Sequence, residues 1–141
     1  MIETVLKTNS AFCLSRYELN REGPSYTIET LRHWKKLLDG ELYFVLGFDS
    51  TVQLDKWYQG EEILKNYHLV TAKRPDTDYS EGIKTIEMYR EKYGADITIL
   101  NMAPVDASST EVRNLVKEGK PITGLVPPGV EEYIIEHRLY K

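Results

Sequence analysis

The sequence predicts an α/β fold with an open, mostly parallel sheet. Three short apolar runs, at 42–46, 68–72 and 97–102, have the length of strands. Helical patterns separate these runs, and this alternation is typical of a parallel sheet with helices on both faces. The run 42–46 is uninterrupted, so we expect it to be buried on both faces of the sheet.

Two helices and one further strand are predicted before residue 42. Residues 1–7 carry apolar side chains at helical spacing, but no capping residue precedes them. Apolar residues alternate over 12–19, which indicates a strand. Residues 25–27 can cap a second helix, and Gly40 ends it.

Four helical segments are predicted in the rest of the chain. A short helical region covers 54–64, and an amphipathic helix over 81–93 stops at Gly94. A helix follows Ser108, with apolar side chains facing inward, and ends before Gly119. The last helix begins after the pair of prolines at 127–128.

The composition indicates one domain over residues 1–141, since 41% hydrophobic residues supply a sizeable core. A net charge of −4 argues against a nucleic-acid binder. Cys13 is the single cysteine, so no internal disulfide can form and a cytoplasmic setting is expected. No apolar run approaches the roughly 18 residues of a membrane span, and we expect no membrane partner.

Ligands of open α/β sheets bind beyond the carboxyl ends of the strands. Three segments occupy such places here: 47–50, 73–75 and 103–113. The last contains Ser108 to Arg113 at the start of a predicted helix, where free N–H groups and a guanidinium could hold phosphate. Ser108 with Glu111 is also an ordinary capping box, which these residues alone favour.

Four segments resemble motifs of the bacterial nicotinate-nucleotide adenylyltransferases. Residues 23–31 are similar to the family's Pro-Ser-Tyr-Thr segment, and 42–50 to its strand ending in Gly-x-Asp-Ser. Residues 54–58 resemble the Leu-x-x-Trp-Tyr element, and 108–113 the Ser-Ser-Thr-x-Ile-Arg phosphate motif of the nucleotidyltransferase superfamily. The tail also fits, so the resemblance spans nearly the whole chain and implies that superfamily's Rossmann-like sheet.

This resemblance implies an enzyme of NAD biosynthesis. Members of the family transfer AMP from ATP to nicotinic acid mononucleotide, which gives nicotinic acid adenine dinucleotide and pyrophosphate. The implied partners are therefore ATP and the mononucleotide, with Mg²⁺ accompanying ATP.

The resemblance also assigns the mononucleotide pocket. Trp57 and Tyr58 would form the nicotinate site, with the indole stacked on the pyridine ring, and Thr27 would hydrogen-bond the carboxylate. Spacing alone favours Trp57 as a core anchor of a short helix. Thr27 can be a plain helix cap, a role compatible with binding the carboxylate.

The resemblance places six residues around ATP. Asp49 would accept hydrogen bonds from a ribose, or else cap the next helix. Arg74 would lie near the adenine or the phosphates, unless it is a solvated loop arginine. The phosphates and the departing pyrophosphate would be held by Ser108, Ser109, Thr110 and Arg113. We assign no catalytic side chain and no metal ligand, and we expect the three histidines to be structural.

The chain departs from the family pattern in one respect. Family members begin with a Gly-Gly-x-Phe-Asp-Pro-x-His-x-Gly-His loop, whose histidines bind the triphosphate, and this sequence contains no His-x-Gly-His. We therefore expect the family fold to be incomplete at its N-terminus by about 60 residues, and these 141 residues alone to be nearly inactive.

Incompleteness of this kind would have a structural cost. The neighbours of a missing central strand would expose hydrogen-bonding edges, so a homo-oligomer is conceivable. Two other functions stay open. One is a non-catalytic mononucleotide-binding module, and the other is a pantetheine-phosphate adenylyltransferase, which the segments at 25–27 and 57–58 disfavour.

Overall fold

The computed structural model describes residues 1–7, 9–73, 78–103 and 107–141. They form two compact units: a sheet unit, Tyr17–Pro104, and a helical unit, Met1–Arg16 with Val105–Lys141. The sequence-based assignment of one domain over 1–141 stays a prediction. Within the described ranges, no helix is both long and apolar enough to cross a membrane.

The sheet unit is built on three parallel strands, as predicted. They are β1 (Tyr43–Gly47), β2 (His68–Lys73) and β3 (Ile97–Asn101), in the order β1-β2-β3. Gly47 pairs with Ala72, and Lys73 pairs with Asn101. The carboxyl ends of all three strands therefore meet at one edge of the sheet.

The helices of the sheet unit follow the predicted order. They are α2 (Thr27–Leu37), α3 (Phe48–Thr51), a 3-10 turn (Leu54–Lys56), α4 (Gly60–Asn66) and α5 (Ser80–Tyr93). The helical region predicted over 54–64 is present, but it is divided into the 3-10 turn and α4. The backbone is extended at Trp57, where the 3-10 turn ends, and left-handed at Gln59, where α4 begins.

The core of the sheet unit lies on one face of the sheet. Phe44 and Leu46 of β1, Leu69 of β2 and Ile97 of β3 pack there against the helices. The helices contribute the buried residues Ile28, Leu31, Phe48, Leu54, Ile63, Leu64, Ile86 and Tyr89. Burial of this apolar surface is the main force that holds the unit together.

The opposite face of the sheet is open to solvent. Val45 is 66% exposed, Tyr43 52% and Leu100 44%. The prediction that β1 is buried on both faces is therefore wrong, and the described helices of this unit cover one face. Successive side chains of a strand point to opposite faces, so the apolar run of β1 divides between the core and the solvent.

The strand predicted over 12–19 is also wrong. The described residues there form turns and irregular backbone, and Phe12 and Leu19 are largely exposed. Local hydrogen bonds replace a ladder: the Ala11 N–H donates to the Asn9 side chain at 3.0 Å, and the Arg21 N–H to the Glu18 carbonyl. Such contacts compete with strand pairing.

The helical unit contains α1 (Ile2–Leu6), α6 (Ser109–Lys117) and α7 (Pro128–Glu136). As predicted, no side chain caps α1. Val112, Ile122 and Ile134 form a small core of their own, and Leu115 and Val116 pack against it. The inward-facing pattern predicted for the helix after Ser108 is confirmed.

Candidate active site

Asp49 lies at the carboxyl edge of the sheet, where β1 runs directly into α3. Gly47 occupies the N-cap position and no side chain caps the helix, so the alternative role of Asp49 as a cap is wrong. Phe48 is buried beside it, whereas Asp49 is exposed in the first turn. No described residue donates a hydrogen bond to its carboxylate, which leaves both oxygens open to a ligand.

Thr27 is the first residue of α2 and is half-buried. The N-cap is Tyr26, with extended backbone and no capping hydrogen bond from its side chain. The prediction that 25–27 supply side-chain caps, with Thr27 itself as a cap, is therefore wrong. Helix N–H groups that lack a side-chain cap can serve a ligand together with the Thr27 hydroxyl.

Trp57 and Tyr58 form the connection between the 3-10 turn and α4. The backbone N–H of Trp57 donates to the Leu54 carbonyl at 3.0 Å, and the backbone carbonyl of Trp57 accepts from the Gly60 N–H at 2.9 Å. The indole is half-buried at the margin of the core, and Tyr58 is exposed. Trp57 thus contributes to packing and still has accessible surface.

One aromatic contact joins the two predicted parts of the mononucleotide pocket. The rings of Tyr26 and Tyr58 lie 4.3 Å apart with a tilt of 35°. Tyr26 precedes Thr27 and Tyr58 follows Trp57, so the start of α2 and the 57–58 segment are neighbours. The roles of Thr27, Trp57 and Tyr58 towards a ligand stay predictions.

An ion pair connects α2 with α4, the helix that follows the 57–58 segment. The Arg32 Nε donates to Glu62 Oε1 at 2.9 Å, and a second guanidinium nitrogen pairs with Oε2. This paired hydrogen bonding raises the pKa of Arg32. A bidentate arginine–carboxylate pair fixes orientation as well as distance, so α2 and α4 are held in a defined arrangement.

The phosphate motif opens α6 in the helical unit. Ser108 is the N-cap, and its hydroxyl accepts from the Glu111 N–H at 3.1 Å, so the capping prediction is confirmed. The Arg113 guanidinium donates to the Thr110 hydroxyl at 3.2 Å, which turns it towards the first turn. Ser108, Ser109, Thr110 and Arg113 are all exposed.

Arg74 lies outside the described residues. The preceding Lys73 ends β2, and its Nζ lies 5.7 Å from the ring centre of Phe48 and 5.5 Å from that of Tyr79. This places a cation at the carboxyl edge of the sheet. The sequence analysis included Lys73 in the candidate segment 73–75 but assigned it no role.

Tyr89 is a second residue that the sequence analysis did not connect with the site. Its hydroxyl donates to Asp55 Oδ1 at 2.6 Å and lies 3.1 Å from the Val52 carbonyl oxygen. Both partners belong to the stretch that leads to Trp57. Helical spacing alone predicts a core residue here and gives no signal for this link.

Each histidine has a local partner. His33 stacks on Tyr17, His68 Nδ1 lies 2.5 Å from Asp96 Oδ2, and His137 Nδ1 lies 3.0 Å from the Tyr133 carbonyl. Among the described residues, no group of three or more His, Cys, Asp or Glu is arranged to hold a metal ion.

A cavity of about 410 Å³ lies in the helical unit, away from the first turn of α6. It includes none of the predicted site residues. Its lining residues are Val116, Gly119, Lys120, Pro121, Ile122, Glu131, Ile134, Ile135 and Lys141.

Comparison with known proteins places the chain in a family. The cytidylyltransferase-like family model matches residues 1–115. A probable nicotinate-nucleotide adenylyltransferase of Caldicellulosiruptor bescii is 38% identical over 141 residues, which are 100% of this chain and 71% of that protein. Its counterpart from Lachnoclostridium phytofermentans is 39% identical, over 99% of this chain and 70% of that protein.

Solved structures support the fold. The Plasmodium falciparum nicotinic acid mononucleotide adenylyltransferase complexed with APC superposes with a TM-score of 0.63 at 21% identity. The match covers 84% of this chain and 60% of that one. Sequence relatives that match the whole chain and a shared fold lead to one conclusion: the chain belongs to the nicotinate-nucleotide adenylyltransferase family.

Proposed function

We propose that the protein transfers the adenylyl group of ATP to nicotinic acid mononucleotide in the cytoplasm, as a step of NAD biosynthesis. Family membership over all 141 residues supports this activity. The observation that supports the proposal best is the contact between Tyr26 and Tyr58, because it brings two separate family segments next to each other.

The mononucleotide is held by the sheet unit in this proposal. The pyridine ring stacks on the accessible surface of Trp57 beside Tyr58, a contact worth about 1–3 kcal/mol. The nicotinate carboxylate accepts hydrogen bonds from the Thr27 hydroxyl and from N–H groups in the first turn of α2. A helix N-terminus favours such an anion, since its peptide dipoles leave it partly positive.

ATP is held by exposed polar side chains. Asp49 accepts hydrogen bonds from ribose hydroxyls, as acidic residues at strand ends commonly do. The N-terminal turn of α6 binds phosphate oxygens, with its Arg113 fork neutralising their charge. The residues that share this phosphate role are Ser108, Ser109, Thr110 and Arg113, and Arg74 assists near the adenine or the phosphates.

The reaction needs no nucleophile from the protein. A phosphate oxygen of the mononucleotide attacks the α-phosphorus of ATP in line, and the bond from that phosphorus to the bridging oxygen breaks as pyrophosphate leaves. Rate enhancement then rests on positioning and charge stabilisation. If a Mg²⁺ ion accompanies ATP, it would neutralise phosphate charge, and we assign no side chain of the described residues to hold it.

The proposal concerns the protein in which these residues occur. The curated relatives are longer than the chain, and the 141 residues contain no His-x-Gly-His. We therefore predict little turnover from these residues alone. The same observation favours a second candidate, a mononucleotide-binding module without catalysis.

Incubation with ATP, Mg²⁺ and nicotinic acid mononucleotide tests the proposal. In a protein that joins these residues to a triphosphate-binding loop, chromatography should detect dinucleotide and an equal amount of pyrophosphate, with phosphopantetheine failing to replace the mononucleotide. Binding of the mononucleotide without product, in a protein that carries the triphosphate-binding loop, would favour the module. Preference for phosphopantetheine would overturn both functions.

A further inference from the structure

A buried tyrosine lies beneath the predicted mononucleotide pocket. The Tyr89 side chain, in the middle of α5, has no solvent exposure. Its hydroxyl donates to the Asp55 carboxylate at 2.6 Å. A hydroxyl in apolar surroundings is costly without a partner, and phenylalanine would fill nearly the same volume. The phenol therefore has a role beyond filling the core.

Asp55 lies two residues before Trp57 and belongs to the 3-10 turn. The turn is closed by the hydrogen bond from the Trp57 N–H to the Leu54 carbonyl, so its residues move together. Leu54 on one side of Asp55 is fully buried, whereas Asp55 itself is exposed. Tyr89 is thus the anchor that connects the accessible half of this turn to the body of the unit.

The loop around Trp57 leaves little room for adjustment. A Cβ atom at Gly60 would lie 1.6 Å from the Leu54 carbonyl oxygen. The residue before it, Gln59, has left-handed backbone with a φ of 53°. A segment packed this closely has few alternative conformations, so a shift of Asp55 is transmitted to the indole two residues away.

We infer that Tyr89 is a positioning residue for the mononucleotide acceptor, acting through Asp55 on the orientation of Trp57. This inference rests on the proposed function of the pocket. Tyr89 does not touch the ligand. Its hydroxyl fixes the turn so that the indole is already in place when the pyridine ring arrives, which reduces the entropic cost of binding.

The proton that this contact requires is always present in ordinary buffers. Burial, reinforced by the hydrogen bond to Asp55, raises the pKa of Tyr89 well above its usual range. The hydroxyl therefore stays a donor, and the Asp55 carboxylate strengthens the hydrogen bond by its charge.

Tryptophan fluorescence can test the inference directly. The chain has two tryptophans, so Trp34→Phe leaves Trp57 as the only reporter. In that background we compare Tyr89→Phe with Tyr93→Phe. Tyr93 lies one turn later on α5, and its hydroxyl lies near Glu61, on α4 and away from the turn. A second pair, Asp55→Ala and Asp55→Asn, changes the acceptor of the Tyr89 hydrogen bond. Alanine removes the acceptor, whereas asparagine keeps an oxygen that can accept the hydrogen bond.

Titration with nicotinic acid mononucleotide should separate the variants. We expect Tyr89→Phe and Asp55→Ala to weaken binding about five- to tenfold, the effect of one net hydrogen bond. KM for the mononucleotide should rise by the same factor with kcat nearly unchanged. Acrylamide should quench Trp57 more strongly in the free variants, while Tyr93→Phe and Asp55→Asn should resemble the parent.

The outcomes distinguish a failure of this inference from a failure of the proposed function. If the parent protein binds no mononucleotide, the proposed function fails first. If the parent binds and Tyr89→Phe binds equally well with unchanged quenching, the inference alone is overturned. Should Tyr89→Phe unfold, Asp55→Ala decides, since it breaks the same contact from an exposed position. An equal loss of affinity in Tyr93→Phe would also overturn the inference.

Discussion

The predicted mononucleotide pocket of the sheet unit and the predicted phosphate motif of the helical unit are held in different ways. Trp57 is fixed by backbone hydrogen bonds on both sides, and its turn is anchored to α5 through Tyr89. The phosphate motif is exposed, and its contacts are short-range: Ser108 with the Glu111 N–H and Arg113 with Thr110.

This difference shows how stability and function divide between the two regions. In the pocket, the side chains proposed to bind a ligand also pack or fix the fold, so substitutions there should change stability and binding together. In the phosphate motif, the Ser108 side chain caps α6, whereas the exposed side chains of Ser109, Thr110 and Arg113 contribute little to stability. Substitutions of these three residues should change activity alone.

Arg113→Ala is expected to have the largest effect. In a protein that also carries the triphosphate-binding loop, loss of the guanidinium removes charge stabilisation from the departing pyrophosphate, so kcat should fall about 100- to 1000-fold. KM for the mononucleotide should change little, and thermal unfolding should be unaltered. Steady-state kinetics and calorimetry measure these quantities, with the exposed Lys117→Ala as a control on the same helix. A large rise in mononucleotide KM would reject the role of Arg113.

Trp57→Ala is expected to weaken the acceptor instead. Loss of stacking should raise KM for the mononucleotide about 10- to 100-fold, and the protein should also lose stability because the indole is half-buried. Trp57→Phe keeps an aromatic face, so its KM for the mononucleotide should lie between those of the parent protein and Trp57→Ala. The assignment fails if Trp57→Ala lowers kcat and leaves KM intact.

Gly60→Ala tests how tightly the pocket loop is packed. The added Cβ meets the Leu54 carbonyl, so we expect a loss of about 1–3 kcal/mol in the free energy of unfolding. Gly47→Ala is the control, since no neighbouring atom lies within 4 Å of its Cβ position and its φ of −69° suits alanine. Urea denaturation should show no change for the control. Equal stability of both variants would contradict the close packing.

High pH should affect the sheet unit through its buried tyrosines. Burial raises the pKa of both Tyr67 and Tyr89, so folding favours their neutral forms. Their contribution to stability is complete below about pH 10, the pKa of an unfolded tyrosine, and is lost as pH rises further. Chemical denaturation between pH 8 and 11, as approximate limits, should show this fall. It should be shallower in Tyr89→Phe, and a fall of the same steepness would contradict the assignment.

Local signals in the sequence predicted much of the fold. The apolar runs of β1, β2 and β3, the stop of α5 at Gly94 and the cap at Ser108 all depend on neighbours within a few residues. Two wrong predictions involve distant partners. Alternation over 12–19 predicted a strand, but the described residues there pair with no strand, and the run at 42–46 did not reveal that one face of β1 would be open.

The predictions about the site also depended on local signals and missed a distant contact. Motif resemblance predicted the roles of Thr27, Trp57 and Arg113, whose neighbours along the chain form recognisable segments. The contact between Tyr89 and Asp55 spans 34 residues and depends on how α5 packs against the 3-10 turn. No local pattern encodes such a contact, so it emerged from the structure alone.

Separate calorimetric titrations of ATP and of nicotinic acid mononucleotide into Arg113→Ala and Trp57→Ala test the division between the two regions most directly. Arg113→Ala should weaken ATP and leave the mononucleotide unchanged, and Trp57→Ala should do the reverse. If either substitution weakens both ligands equally, the assignment of separate roles to the two regions is contradicted.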